Sequence, residues 1–202
     1  MSILHGARNT YWDPRFKRDT VKLLPGEYFS TRSSKMLVTV LGSCVAACIR
    51  DTRNGIGGMN HFLLPQKRQQ PIEHVVKDYD HQEMRYGDMA METLINDIMK
   101  KGGDRRYFEA KFFGGAQMFQ SILEIGKQNI TFVKEYLDFE SIPIKTMDVG
   151  GVFGRKIYYI PQTGDVFLKR ISKVNNNTIR QREMSYLKKS REEKAEAQID
   201  FF

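Results

Sequence analysis

Residues 38–65, VTVLGSCVAACIRDTRNGIGGMNHFLLP, constrain the fold more than any other stretch of this 202-residue chain. Two short apolar segments flank the turn cluster DTRNG at 51–55, in which Asn54-Gly55 is a strong hairpin dipeptide. The pattern predicts two adjacent antiparallel strands joined at that turn. Cys44 and His61 then lie near matching ends of the two strands.

A thiol and an imidazole on neighbouring strands are the minimum set for cysteine nucleophilic catalysis. The Gly42-Ser43 turn before Cys44 can direct backbone amides to one point beside the sulfur, as an oxyanion hole does in acyl transfer. His61 can take the thiol proton, and a thiolate–imidazolium pair lowers the pKa of the cysteine. The competing explanation is packing, because most buried cysteines are inert and most lone histidines near apolar strands are structural.

Two nearby residues extend this candidate site. Cys48 lies four positions after Cys44 on the same face of the strand, without a turn or glycine beside it, and is predicted to belong to the core. Thr39 lies on the preceding strand, and its hydroxyl could accept a hydrogen bond from the far ring nitrogen of His61. Strand packing explains Thr39 equally well, so the residue that orients the imidazole stays open.

A metal site is the other chemistry that these residues suggest. Cys44, Cys48 and His61 offer three zinc-type ligands, whereas a structural zinc takes four at recognisable spacing. We therefore expect no metal, and nothing in the chain indicates a cofactor.

The remaining pattern predicts an α+β domain, a layered sandwich of mainly antiparallel β-sheet with two packed helices. Helical spacing covers residues 84–101 and 129–139, and strands are expected at 108–113, 142–149, 155–160 and 166–174. Residues 66–82 are a predicted polar loop. We expect a flexible arm over 1–26, a folded domain over 27–175, and a charged tail over 176–202 that is helical or disordered.

Charge and composition narrow the class of partner. The formal net charge is +8, but the basic residues are scattered near both ends, and neither zinc-finger spacing nor an RNP-like motif occurs. We therefore expect no nucleic-acid partner. Without an apolar run of about 18 residues or a secretory leader, the chain is expected to be cytoplasmic and not membrane-inserted. Two cysteines four apart do not form a disulfide framework.

Five segments in order give the chain a family resemblance. They are LGSCVAACIRD at 41–51, GGMNHFLLP at 57–65, FGGAQMF at 113–119, DVGG at 148–151 and TGDVFLKRI at 163–171. Together they resemble CheD, the chemoreceptor glutamine deamidase family of bacterial chemotaxis, over roughly residues 27–172. The GSC turn followed by a GGMxH strand is the most specific part of the match.

The resemblance implies a fold similar to that of the toxin-type cysteine deamidases, and a reaction. That reaction is hydrolysis of specific glutamine side-chain amides to glutamate on the cytoplasmic region of chemoreceptors, with release of ammonia. It implies Cys44, His61 and Thr39 as catalytic residues, and a CheC-type phosphatase as a partner in some bacteria. A methylesterase side activity would pass through the same thioester. The alternative is a docking module that binds receptors or such a phosphatase without significant catalysis.

Two parts of the family pattern, the position of the threonine and the role of the paired glycines, can be decided only by a structure. Some members carry the threonine one position farther from the cysteine, which here is Val38. Because a shift of one residue turns a side chain to the other face of a strand, Thr39 is expected to need a bulge or a different strand path. Four glycines, in the pairs Gly114-Gly115 and Gly150-Gly151, are candidates for close approach of a receptor helix, although ordinary turns would also explain them.

Overall fold

The computed structural model describes residues 5–64, 81–117, 123–171, 178–179, 181–186 and 188, without the side chains of 81–85 and 123–124. It contains a six-stranded sheet, in the order β1-β4-β7-β6-β8-β9, and a five-stranded sheet, in the order β11-β10-β5-β3-β2. The strands are β1 His5–Gly6, β2 Asn9–Asp13, β3 Arg18–Lys22, β4 Glu27–Thr31, β5 Met36–Leu41, β6 Val45–Asp51, β7 Ile56–His61, β8 Phe108–Gly114, β9 Ile144–Val149, β10 Arg155–Ile160 and β11 Asp165–Arg170. The helices are α1 His81–Lys100 and α2 Leu123–Phe139, with a 3-10 turn at Arg105–Tyr107.

The fold has three layers: the helices, the six-stranded sheet and the five-stranded sheet. Side chains in and just before β6 show how these layers pack. Val45, Ala47 and Ile49 pack with buried residues of α1 and α2 on the outer face of the six-stranded sheet. Cys44, Ala46 and Cys48 point the other way, into a second core shared with the five-stranded sheet. The expected α+β sandwich is confirmed, and six of the nine strand pairings formed by the described residues are antiparallel.

The predicted hairpin at 51–55 is present, and Asp51 holds its turn together. The buried carboxylate accepts hydrogen bonds from the backbone amides of Arg53 and Asn54, and the Gly55 amide donates to the Asp51 carbonyl. Gly55 has φ +65°, in the left-handed region that favours glycine. The turn fixes the register in which Cys48 lies opposite Met59 and Val45 opposite Phe62. The polar loop predicted at 66–82 lies almost entirely outside the described residues.

The prediction of a flexible arm over residues 1–26 is wrong for the described part of that segment. Residues of β2 and β3 form one edge of the five-stranded sheet, where β3 pairs in parallel with β5. Val21 and Leu23 are buried in the core between the sheets. Four of the five residues of β2 are exposed, so this edge strand carries no apolar alternation by which the sequence could reveal it.

Candidate active site

Cys44 lies where the chain crosses from one sheet to the other. β5 ends at Leu41 in the five-stranded sheet and β6 begins at Val45 in the six-stranded sheet, so residues 42–44 form the crossing. Extending the β6–β7 register places Ala46 opposite His61 and Cys44 one diagonal step away. Diagonal neighbours on one face of an antiparallel pair remain within reach of long side chains. Cys44 and His61 therefore lie near matching ends of the two strands, as the hairpin pattern predicted, and on the face of β6 and β7 that is turned to the inter-sheet core.

Thr39 reaches His61 from the opposite sheet. Its Oγ1 lies 2.7 Å from Nδ1 of the imidazole, and both residues are buried. Strand β5 pairs with β10 without a register shift, so the expected bulge is absent. Val38 packs instead with Met36 on the outer face of the sheet. Thr39 needs no altered strand path, because the inward face of β5 carries the odd-numbered positions.

The hydrogen-bond chain fixes the histidine tautomer. Thr39 Oγ1 donates its only proton to the Leu23 carbonyl at 2.9 Å, so it must accept from His61 Nδ1–H. The proton then lies on Nδ1, and Nε2 carries the free lone pair. Among the described residues Nε2 has no hydrogen-bond partner, although it is buried. An imidazole held in this form can accept a proton at Nε2 and pass it on.

Both candidate groups are neutral at rest. Burial lowers the pKa of His61 from 6.5 to about 3, although the Leu23 carbonyl opposes the shift. Burial also raises the pKa of the Cys44 thiol well above its ordinary value, and the negative charge of Glu183 and a hydrogen bond with that residue raise it further. The expected thiolate–imidazolium pair, with a lowered cysteine pKa, is therefore absent from this state. Desolvation is the largest cause of both pKa shifts, and it disfavours the charged form of each group.

Glu183 occupies the predicted oxyanion position. Its Oε1 accepts hydrogen bonds from the Gly42 amide at 2.9 Å and the Cys44 amide at 3.1 Å. Its Oε2 accepts from the Ser43 amide at 3.1 Å and from Ser43 Oγ at 2.6 Å. Glu183 is 3% exposed. The turn of Gly42 and Ser43 does direct its amides to one point, and an acidic side chain from the tail fills that point.

The sequence interpretation missed Glu183 because the tail showed little apolar face. Described residues 178–179, 181–186 and 188 are helical, and we call them the tail helix. Ile179, Glu183 and Tyr186 follow one another at helical spacing, and the first two are buried while the third is partly buried. This i, i+4, i+7 spacing is the signal that was available. It was weak because the central member of the stripe is a charged residue.

Asn129 of α2 is a second residue that the sequence interpretation missed. Its Nδ2 donates to the Ser43 carbonyl at 2.9 Å, and its Oδ1 accepts from the Leu64 amide at 2.9 Å. One fully buried side chain thus ties the crossing before β6 to the segment after β7. It supports the positions of Cys44 and His61 together.

The four candidate glycines belong to the wall behind Cys44. The Gly115 amide donates to the Cys44 carbonyl, and a Cβ at Gly114 would overlap that same oxygen. The Gly150 amide donates to the Gly114 carbonyl, and Gly151 accepts from the Gln117 amide. All four have positive φ. These contacts brace the crossing, so contact with a receptor remains only a prediction for these positions.

Cys48 is buried in the inter-sheet core, as predicted, and burial raises the pKa of its thiol. Among the described residues, no group of three His, Cys, Asp or Glu side chains is arranged to hold a metal ion. Within the same residues, no helix combines the length and apolar character needed to cross a bilayer.

Comparisons with known proteins point to one family. A family model described as CheD chemotactic sensory transduction matches residues 63–170. The chain is 41% identical over 198 residues to "Probable chemoreceptor glutamine deamidase CheD" of Methylobacillus flagellatus, a match that covers 97% of this chain and 96% of that protein. It is 42% identical over 200 residues to the protein of the same name from Herminiimonas arsenicoxydans, covering 98% and 96%. A Shewanella oneidensis protein, "Probable chemoreceptor glutamine deamidase CheD 1", is 44% identical over 180 residues, covering 88% and 85%.

Proposed function

The chain belongs to the CheD family, and we propose that it is a chemoreceptor glutamine deamidase with Cys44 as its nucleophile. The observation that carries this proposal is the fixed tautomer of His61. Its Nδ1 proton is held by Thr39, which leaves a free lone pair on Nε2. The β6–β7 register puts His61 and Cys44 on the same face of the sheet. A neutral imidazole with a free lone pair and a neutral thiol suit general-base activation, in which the proton moves at the moment of attack.

The reaction follows from these groups. His61 Nε2 takes the thiol proton as Cys44 Sγ attacks the carboxamide carbon of a receptor glutamine. The amides of Gly42, Ser43 and Cys44 stabilise the developing oxyanion. The imidazolium then returns the proton to the leaving nitrogen, ammonia departs, and a thioester remains. Water, deprotonated by His61, hydrolyses the thioester to glutamate and restores the thiol.

A small cavity of about 30 Å³ beside His61 suits the hydrolytic step. It is lined by Leu23, Val40, His61 and residues of the tail helix, among others. A cavity of this size has room for a water molecule. Water held there would stand next to the imidazole that activates it.

The direct experiment uses two cysteines of the same strand face. The full chain is incubated with a receptor cytoplasmic fragment, and mass spectrometry follows conversion of glutamine amides to acids. Cys44→Ala should abolish conversion, whereas Cys48→Ala should retain it, because Cys48 lies in the middle of β6, opposite Met59, and not at the crossing. Conversion that persists in a folded Cys44→Ala variant would eliminate the proposed mechanism.

The proposed setting is the cytoplasm, with receptor helices as substrate. A net charge of +8 suits an acidic receptor surface and would chiefly raise the encounter rate. A CheC-type phosphatase as a further partner rests on the family resemblance alone, and co-purification with such a phosphatase tests it. A docking module without significant catalysis is the second candidate function, because Cys44 is completely buried and a substrate cannot reach it in this state. Receptor binding without any amide conversion would support that candidate.

A further inference from the structure

The side chain that fills the amide cluster has the chemistry of the reaction product. Deamidation converts a glutamine side chain to a glutamate side chain of nearly the same shape. Glu183 presents such a carboxylate to three consecutive backbone amides and to the Ser43 hydroxyl, beside the Cys44 thiol. Glu183 lies 139 positions after Cys44 in the sequence.

The tail helix is docked by specific contacts on either side of Glu183. Ile179 is buried and lines the cavity beside His61. Tyr186 forms a hydrogen bond with Tyr86 of α1, and its ring lies against Gly26, where a Cβ would overlap it. Opposite these contacts, Arg182, Met184 and Ser185 are exposed. The helix therefore presents one glutamate, in the middle of its buried face, to the predicted nucleophile.

We propose that residues 42–44 form the subsite for the substrate's glutamine side chain, and that the tail helix closes it with Glu183 as a product-like occupant. This inference rests on the proposed function. The occupant that competes for the subsite is a glutamine carried on a receptor helix, because the tail shows that a helix can present a glutamate side chain there. The Glu183 charge also opposes ionisation of Cys44 while the site is closed.

A purely supporting role for Glu183 makes the opposite prediction. If the carboxylate only ordered residues 42–44, its removal would disorder the amides and lower activity. If it blocks the subsite, removal raises activity, since a ligand's apparent affinity is reduced by the fraction of protein that is closed.

Alkylation of Cys44 tests the closure without any receptor. In a Cys48→Ala background only one thiol remains, and its rate with iodoacetamide is measured in the full chain, with and without Glu183→Ala. We expect roughly three- to tenfold faster alkylation, because the thiolate fraction rises more than nucleophilicity falls. Ser185→Ala, an exposed neighbour on the same helix, is the matched control and should not change the rate. Equal rates for Glu183→Ala and its parent would overturn the proposal.

Receptor deamidation gives the second readout. Glu183→Ala should raise kcat/KM several-fold, mainly through KM, with circular dichroism confirming that the variant folds. A lower kcat/KM in a folded variant would assign Glu183 to site assembly and overturn the proposal. If the parent deamidates receptors but Glu183→Ala leaves the alkylation rate unchanged, the inference fails and the proposed function stands. If alkylation accelerates but neither protein deamidates receptors, the proposed function fails.

Discussion

Thr39 Oγ1 lies 2.7 Å from His61 Nδ1, although the two residues belong to different sheets. The contact bridges the core at the point where the chain crosses between the sheets. Thr39 also donates to the Leu23 carbonyl, so this hydroxyl and that carbonyl together fix the orientation of the imidazole.

Replacing Thr39 should therefore affect the imidazole more than the fold. Thr39→Val keeps the shape of the side chain but removes the acceptor for Nδ1–H and frees the other tautomer. We expect kcat for receptor deamidation to fall by about 10- to 100-fold, the usual cost of losing a group that orients a functional histidine. Thr39→Ser keeps the hydroxyl and should restore most of kcat. Equal losses in both variants would contradict a positioning role.

The buried His61 should make stability depend on pH. Its folded pKa of about 3 lies below the ordinary value of 6.5, so between these values the unfolded chain binds a proton that the folded chain does not. His61 therefore costs no stability above about pH 6.5, and the folded state loses stability as pH falls towards 3, by up to about 1.4 kcal/mol per pH unit.

Urea unfolding of the parent and of His61→Asn across this pH range measures that contribution. The variant should show a shallower decline in the free energy of unfolding, because an asparagine does not titrate. Parallel curves for the two proteins would show that His61 titrates near its ordinary pKa in the folded state.

The glycines behind Cys44 offer a matched pair of substitutions. Gly114 and Gly151 both have positive φ, so alanine at either position carries backbone strain of about 1 kcal/mol. Only at Gly114 would the new Cβ also overlap the Cys44 carbonyl, whereas at Gly151 the nearest atom is 4.0 Å away. Gly114→Ala should lower both thermal stability and deamidation well below Gly151→Ala. Equal effects would mean that strain alone matters here.

The tail helix itself can report on the reaction. Glu183→Gln places a carboxamide where the product-like carboxylate lies, in contact with the amides of residues 42–44. We expect the introduced glutamine to be converted slowly to glutamate within the purified chain, as mass spectrometry of the C-terminal peptides would show. The double variant Glu183→Gln/Cys44→Ala should keep its amide. Equal conversion in both proteins would mean that Cys44 plays no part.

Much of the fold could be predicted locally. The Asn54-Gly55 turn and its flanking apolar segments give the hairpin, and apolar spacing indicates α1 and part of α2. β2 was not predictable, because an exposed edge strand lacks the alternation that a buried face imposes. Nor was the inward direction of Thr39, which depends on how the two sheets face each other rather than on its distance in sequence from Cys44.

By itself, the sequence determined the α+β class, the hairpin carrying Cys44 and His61, the family, and the candidate nucleophile and base. These depend on turn chemistry, strand periodicity and residue type, all of which act over a few positions. Only the tertiary structure decided which hydroxyl holds the imidazole and what fills the amide cluster. Thr39 meets His61 across two sheets, and Glu183 meets residues 42–44 across some 140 positions of chain, a juxtaposition that packing creates and local pattern does not encode.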